Sequence, residues 1–320
     1  FGLEGFRPGQ EAVIRALLSG RGALAVFPTG AGKSLCYQLP ALLLDGVTLV
    51  ISPLIALMKD QIDFLHTRAV PAARLDSSLS ADENRRVTDQ LRAGQLKLLY
   101  VAPERFNNER FVALLQQIKV GLFAVDEAHC ISEWGHNFRP DYLKLAEFSR
   151  TLHAERVLAL TATATPKVVE DICANFDIPR ECAIVTGFFR PNLALHTTPV
   201  RAADRDRLLV ERLRARVPGT TIVYVTLQRT AERVAELLRA AGLPAKPYHA
   251  GMDVQARTDV QEDWKFSDRA IVVATIAFGM GIDKDAVRYV YHYNLPKSLE
   301  SYSQEIGRAG ASCAGLPAQH

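Results

Sequence analysis

A glycine-rich segment, Pro28-Thr29-Gly30-Ala31-Gly32-Lys33-Ser34, lies between the apolar run Ala23–Phe27 and the helix-compatible stretch Leu35–Leu44. Strand, tight loop and helix in that order place the loop where backbone N–H groups converge on a phosphate. Gly30 and Gly32 let the backbone approach phosphate oxygens, with Thr29 and Ala31 completing the cradle. Lys33 can reach the β- and γ-phosphates and Ser34 can ligate magnesium. The strict pattern carries glycine where Phe27 stands, so this loop is a variant, and a plain glycine turn is the bland alternative. A strand–loop–helix unit of this kind commits the surrounding chain to a parallel α/β sheet.

The remaining pattern agrees. Apolar runs suited to buried parallel strands occur at Ala23–Phe27, Thr48–Ile51, Leu96–Val101, Leu122–Val125 and Val157–Leu160. A second series follows at Thr221–Val225, Ala270–Ala274 and Arg288–Tyr293, with an amphipathic helix expected over Gln228–Ala241. Asp177–Val200, with Pro179, Pro191 and Pro199, has no clear period and separates the two series. We expect two lobes, 1–187 and 188–320, and a length of 320 residues suits two domains of about 150 each. With 48% hydrophobic and 23% charged residues, each can bury a core.

The acidic pair Asp126-Glu127 follows the run Leu122–Val125, so both carboxylates fall at the carboxyl end of a strand, where open α/β sheets bind ligands. Alone, such a pair is more often a solvated strand end. Beside the loop at 28–34, Asp126 fits a magnesium contact and Glu127 fits the base that orients and deprotonates an attacking water. Loop and acidic pair together indicate a nucleoside-triphosphate hydrolase that uses magnesium; the choice of ATP rests on the resemblance described below.

No apolar stretch is long enough to span a bilayer, and residues 1–10 lack a signal-peptide core, so the expectation is an intracellular, cytoplasmic protein, nucleoid-associated if bacterial. Cys36, Cys130, Cys173, Cys182 and Cys313 are scattered and form no Cys-x-x-Cys pair, which argues against a disulfide framework or zinc site. A net charge of +3 permits a polyanionic partner without demonstrating one.

Several blocks resemble, in order, the RecQ family of superfamily-two DNA helicases. Phe6-Arg7-Pro8-Gly9-Gln10 resembles the family's adenine-reading segment; the Gln10 amide offers one donor group and one acceptor to the adenine edge, with Arg7 beside it. The most specific block runs from Asp126-Glu127-Ala128-His129 directly into an aromatic-rich loop containing Trp134, His136, Phe138 and Arg139. Flat and cationic side chains of this kind bind unstacked bases at about 1–3 kcal/mol per stacked base. The resemblance implies that DNA occupancy is transmitted to Glu127 through this fusion, with His129 part of the catalytic set. Ser52-Pro53-Leu54 with Lys59, Ala102-Pro103-Glu104-Arg105, and Leu160–Thr165 resemble first-lobe blocks, in which Ser52, Lys59 and Arg105 would meet phosphates without reading sequence. Phe189-Arg190-Pro191-Asn192-Leu193 resembles the start of the second lobe. There, Ala274–Asp283 resembles the block contacting both DNA and the nucleotide ribose, which assigns Thr275 to DNA and Asp283 to nucleotide. Ser301–Gly310 resembles the sixth motif, with Gln304 and Arg308 as its catalytic members.

The resemblance implies two tandem RecA-like, doubly wound lobes with the nucleotide in the cleft between them, and a motor that moves 3′ to 5′ on single-stranded, forked or partly duplex DNA in recombination and repair. Three departures matter. Leu3 stands where an aromatic is common, Phe189 where an aspartate is expected, and Ala311 where the family carries a second arginine. No lysine or arginine follows Arg308, so an arginine finger is missing and hydrolysis is expected to suffer. The family often continues into zinc and winged-helix regions, which these residues do not contain. Two alternatives stay open: a translocase or remodeller that does not unwind, and a nucleotide-responsive DNA-binding module with impaired hydrolysis. RNA also remains open as a partner.

Overall fold

The computed structural model describes residues 1–53, 55–133, 138–187, 192–276, 278, 287–309 and 318–319. Trp134, His136, Asp283 and Ala311, singled out above, lie outside the described residues. Two compact units emerge, Phe1–Phe188 and Phe189–His320.

In the first unit seven strands alternate with helices: α1 (Gln10–Leu18), β1 (Ala23–Val26), α2 (Leu35–Leu43), β2 (Val47–Ile51), α3 (Ile55–His66), β3 (Ala72–Leu75), α4 (Ala81–Arg92), β4 (Leu98–Val101), α5 (Glu109–Leu115), β5 (Val120–Val125), α6 (Pro140–Thr151), β6 (Val157–Thr161), α7 (Pro166–Asn175) and β7 (Ala183–Val185). All pair in parallel, in the order β3-β4-β2-β5-β6-β1-β7. β1, β2, β4 and β5 are buried at every position, as expected for strands covered on both faces. Their carboxyl ends share one edge, which collects the loops after β1, β2, β5 and β6.

Sequence and structure differ at the sheet margins. β3 and β7 are the two edge strands, and Arg74 interrupts the apolar run of β3 while pairing at 3.0 Å with the buried Asp76. An edge strand has only one covered neighbour, so it needs no continuous apolar run, and periodicity does not reveal it. The strand expected from Leu96 begins at Leu98, because Lys97 and Leu98 both donate to the Pro71 carbonyl. The helix expected to Leu44 ends at Leu43, where Leu44 turns extended (ψ 148°) toward the Asp45-Gly46 turn.

Gly121 decides the register of the two central strands. Val47 faces Val120 and Thr48 faces Leu122, leaving Gly121 bulged. A Cβ there would collide with the Asp45 carbonyl oxygen. Gly121→Ala is therefore expected to destabilise the unit by about 1–3 kcal/mol, since backbone cannot yield as a side chain does. Urea unfolding should show a lower midpoint at unchanged slope; an unaltered midpoint would mean that the bulge relaxes freely.

The second unit contains β8 (Leu193–Ala194), α8 (Arg205–Ala215), β9 (Thr221–Tyr224), α9 (Gln228–Ala240), β10 (Ala245–Tyr248), α10 (Val254–Phe266), β11 (Ile271–Ala274), β12 (Tyr289–His292), α11 (Leu299–Ile306) and β13 (Ala318–Gln319). Its core is four parallel strands, β10-β11-β9-β12, extended by the two-residue strands β13 and β8. Alternate residues feed two apolar clusters: Ile222, Val272 and Val290 pack with Trp264 and Phe278, while Val223, Ile271 and Val273 pack with Val234 and Leu238 of α9. Helices thus cover both faces, the doubly wound arrangement anticipated from the pattern. β10 again went unrecognised because it is an edge strand, which is where Pro247 is tolerated.

Candidate active site

The loop after β1 is held from outside by Arg7 and by Gln10, the first residue of α1. Gln10 is buried, accepts the Arg7 N–H at 2.8 Å through Oε1, and donates through Nε2 to the carbonyls of Gly32 (2.8 Å) and Ala31 (3.2 Å). The Arg7 guanidinium donates to the Gly30 carbonyl. Gly30 (φ 79°) and Gly32 (φ 75°) adopt left-handed backbone, and a Cβ on Gly32 would stand 2.7 Å from Gln10 Nε2. The expected adenine-reading pair and the expected phosphate loop are therefore in direct contact. Lys33 folds back, its Nζ donating to the Phe27 carbonyl at 3.1 Å. Ser34 caps α2 by position, its carbonyl accepting from Gln38 at 3.0 Å.

Asp126 follows β5 on the same edge. Its Oδ1 accepts the Glu127 N–H at 3.0 Å, and its Oδ2 accepts the Ser52 hydroxyl at 3.4 Å. Burial, and then the neighbouring Glu127 carboxylate, push the Asp126 carboxyl up to about 7, with Lys33 opposing them. Such a carboxylate suits a cation, because a nearby positive charge offsets both penalties. Glu127 Oε2 is buried and makes no hydrogen bond, lying 3.3 Å from His129 Nδ1. Open glycine cradle, buried acid and unengaged carboxylate oxygen together fit a magnesium–nucleotide pair.

His129 is 3% exposed, and its Nδ1 lies 2.9 Å from Thr161 Oγ1. The Thr161 hydroxyl donates to the Thr163 carbonyl at 2.9 Å, which uses its one hydrogen. His129 Nδ1 must then carry the proton it shares with Thr161, and the same N–H faces Glu127. Thr161 and Thr163 belong to the Leu160–Thr165 block, but the contact of Thr161 with His129 has no signature in local pattern.

Ser52 turns to Asp126, as above. Lys59 is exposed on α3, and the Arg105 guanidinium stacks 5.5 Å from the Phe111 ring centroid. Phe138 is 36% exposed, and the Arg139 N–H donates to the Cys130 carbonyl at 2.9 Å. In the second unit the Thr275 N–H donates to the Tyr248 carbonyl at 3.2 Å. Gln304 lies on α11, and Arg308 follows it close enough to lower the Tyr224 hydroxyl's pKa, although burial raises that group overall.

A pH signature follows from Asp126. Its folded pKa is raised well above that of an ordinary aspartate, so the folded state holds the proton more tightly and loses stability as pH rises from about 4 to about 7. Asp126→Asn removes that penalty. In metal- and nucleotide-free protein its gain in Tm should grow from pH 5 to pH 8; a pH-independent difference would place the carboxylate in contact with solvent.

Among known proteins, the sequence pattern described as DEAD/DEAH box helicase matches residues 7–172, and the helicase conserved C-terminal domain matches 204–312. The chain is 46% identical over 319 residues to the ATP-dependent DNA helicase RecQ of Haemophilus influenzae, covering 100% of this chain and 51% of that protein. The RecQ of Bacillus subtilis is 45% identical, over 97% of this chain and 52% of its own length. The chain thus spans about half the length of the curated relatives it matches. In structure it is similar to the Mycobacterium smegmatis helicase Lhr bound to ssDNA and AMP-PNP, with a TM-score of 0.74 at 23% identity, over 99% of this chain and 45% of that one. That likeness extends to the fold.

Proposed function

This chain belongs to the DEAD/DEAH box helicase family, among its RecQ-type members, and from that premise we propose that it is the motor of an ATP-dependent 3′-to-5′ DNA helicase. One observation carries the reading: the buried carboxyl of Asp126 is within electrostatic reach of Lys33, with Glu127 beside it. Lys33 would leave the Phe27 carbonyl to neutralise phosphate charge. Ser34 and Asp126 would hold magnesium, which when bound supplies positive charge to the phosphate oxygens. Glu127 would take a proton from water, while the His129 N–H steadies its carboxylate. Gln10 and Arg7 would read adenine, exchanging their hydrogen bonds with the loop carbonyls for bonds to the base.

From the second unit we assign Arg308 to the γ-phosphate, with Gln304 beside it and Asp283 toward the ribose. Thr275, Lys59, Arg105, Trp134, His136, Phe138 and Arg139 are assigned to DNA. The assignment to unwinding, and through it to recombination and repair, draws on the curated relatives' names. It is tested by ATP hydrolysis with and without single-stranded DNA, followed by strand separation on a fork. Stimulated hydrolysis with strand separation supports the helicase; stimulation without separation reassigns the chain as a translocase. Binding of DNA without hydrolysis rejects the motor.

A further inference from the structure

The acidic turn carries a local distortion. Glu127 adopts φ 51°, in the left-handed region that a non-glycine residue seldom occupies, and its carboxylate is directed by that backbone. Such a conformation persists only when its surroundings hold it. The relevant surroundings are the two polar groups of the peptide joining Asp126 to Glu127. Its N–H is held by Asp126 Oδ1 at 3.0 Å, and its C=O by the hydroxyl of Tyr142, donated at 3.1 Å. The preceding N–H, that of Asp126, is fixed in the sheet on the Ile51 carbonyl at 2.8 Å. Of these three restraints, only Tyr142 comes from outside the sheet and the turn itself.

Tyr142 is suited to this task. It lies on α6, is 0% exposed, and its N–H donates to the Arg139 carbonyl at 2.9 Å, so the ring sits on the first turn of a helix. Burial, followed by repulsion from Cys130, Asp126 and Glu127, raises its pKa well above that of ordinary tyrosine, so the hydroxyl keeps the proton it donates. The same helix start is tied to the acidic turn a second time, by Arg139 N–H to the Cys130 carbonyl at 2.9 Å.

We infer that Tyr142 is a positioning residue: its hydroxyl locks the Asp126–Glu127 peptide plane and thereby aims the Glu127 carboxylate. The inference rests on the reading of Glu127 as the base that activates water. Without the hydroxyl, the peptide can rotate, Glu127 can relax to negative φ, and its carboxylate swings away from His129. A misplacement of about 1 Å at a reacting group lowers turnover by up to about 10²-fold. Any shift of α6 would move the same peptide, so this helix is a lever on the catalytic carboxylate.

Tyr142→Phe keeps the ring and removes only the hydroxyl. In nucleotide-free protein, amide hydrogen exchange at Glu127 should accelerate about tenfold while Leu122 and Phe123 in β5 exchange as before. In steady state, kcat for ATP should fall about tenfold with KM within about twofold, as expected for a change in aim rather than in binding. The unaltered protein is assayed first: if it hydrolyses no ATP, the functional reading fails and this inference with it. If it hydrolyses ATP and the variant shows unchanged turnover, unchanged Glu127 exchange, or faster exchange throughout β5, the positioning role alone is overturned.

Discussion

Glu127→Gln should leave nucleotide binding within about twofold of the unaltered protein and reduce turnover by about 10²–10⁴-fold, the usual contribution of a positioned general base. The substitution preserves size and keeps an oxygen that can face the His129 N–H, so the turn at 126–127 has no new reason to rearrange. What it loses is the capacity to accept a proton from water. Binding is read by titration with a fluorescent ATP analogue and turnover by phosphate release in saturating single-stranded DNA. Turnover that survives the substitution would move the base elsewhere, and His129 would be the next residue to replace. Weakened binding with little loss of kcat would instead mean that Glu127 serves the metal.

The second large effect concerns the cations of the second unit. Arg308→Ala is expected to cut DNA-stimulated turnover by about 10³-fold or more, since arginines that stabilise the transferring phosphoryl group are worth about 10³–10⁵ in other nucleotide hydrolases. Ala311→Arg is expected to raise turnover on the order of tenfold or more, by supplying the cation that the resemblance to the RecQ family implies at this position. The two substitutions are read in one assay, with KM for ATP separated from kcat. A live Arg308→Ala variant would remove Arg308 from the machinery. An Ala311→Arg variant no faster than the parent would show that the single arginine already supplies the charge required. If both hold, hydrolysis depends on cation count at this motif, and Ala311 accounts for a slow parent enzyme.

Local chemistry made much of the molecule legible. The buried central strands are legible because both faces are covered, so the stretches Leu49–Ile51 and Leu122–Val125 are unbroken apolar runs. Loop 28–34 and the pair Asp126-Glu127 stand out in the sequence because the phosphate and metal chemistry proposed for them restricts the residue types at fixed offsets from a strand end. β3 and β10 are not legible because edge strands are only partly enclosed and tolerate Arg74, Lys246 and Pro247, while β7, a strand of 3 residues, is too short to show a period.

The contacts that give those residues their geometry are of another kind. Gln10 meets Gly32 across 22 positions, Ser52 meets Asp126 across 74, and His129 meets Thr161 across 32. Tyr142 carries no motif in the sequence, and only folding brings its hydroxyl to the Asp126 carbonyl. Sequence alone determined which chemical groups stand at the carboxyl ends of which strands, because a strand followed by a loop fixes that locally. Tertiary structure decided the rest of their aim: the Glu127 N–H on Asp126 Oδ1 is local, but the Ser52, Thr161 and Tyr142 contacts that orient Asp126, Glu127 and His129 come from other strands and helices, and are set by sheet order and packing.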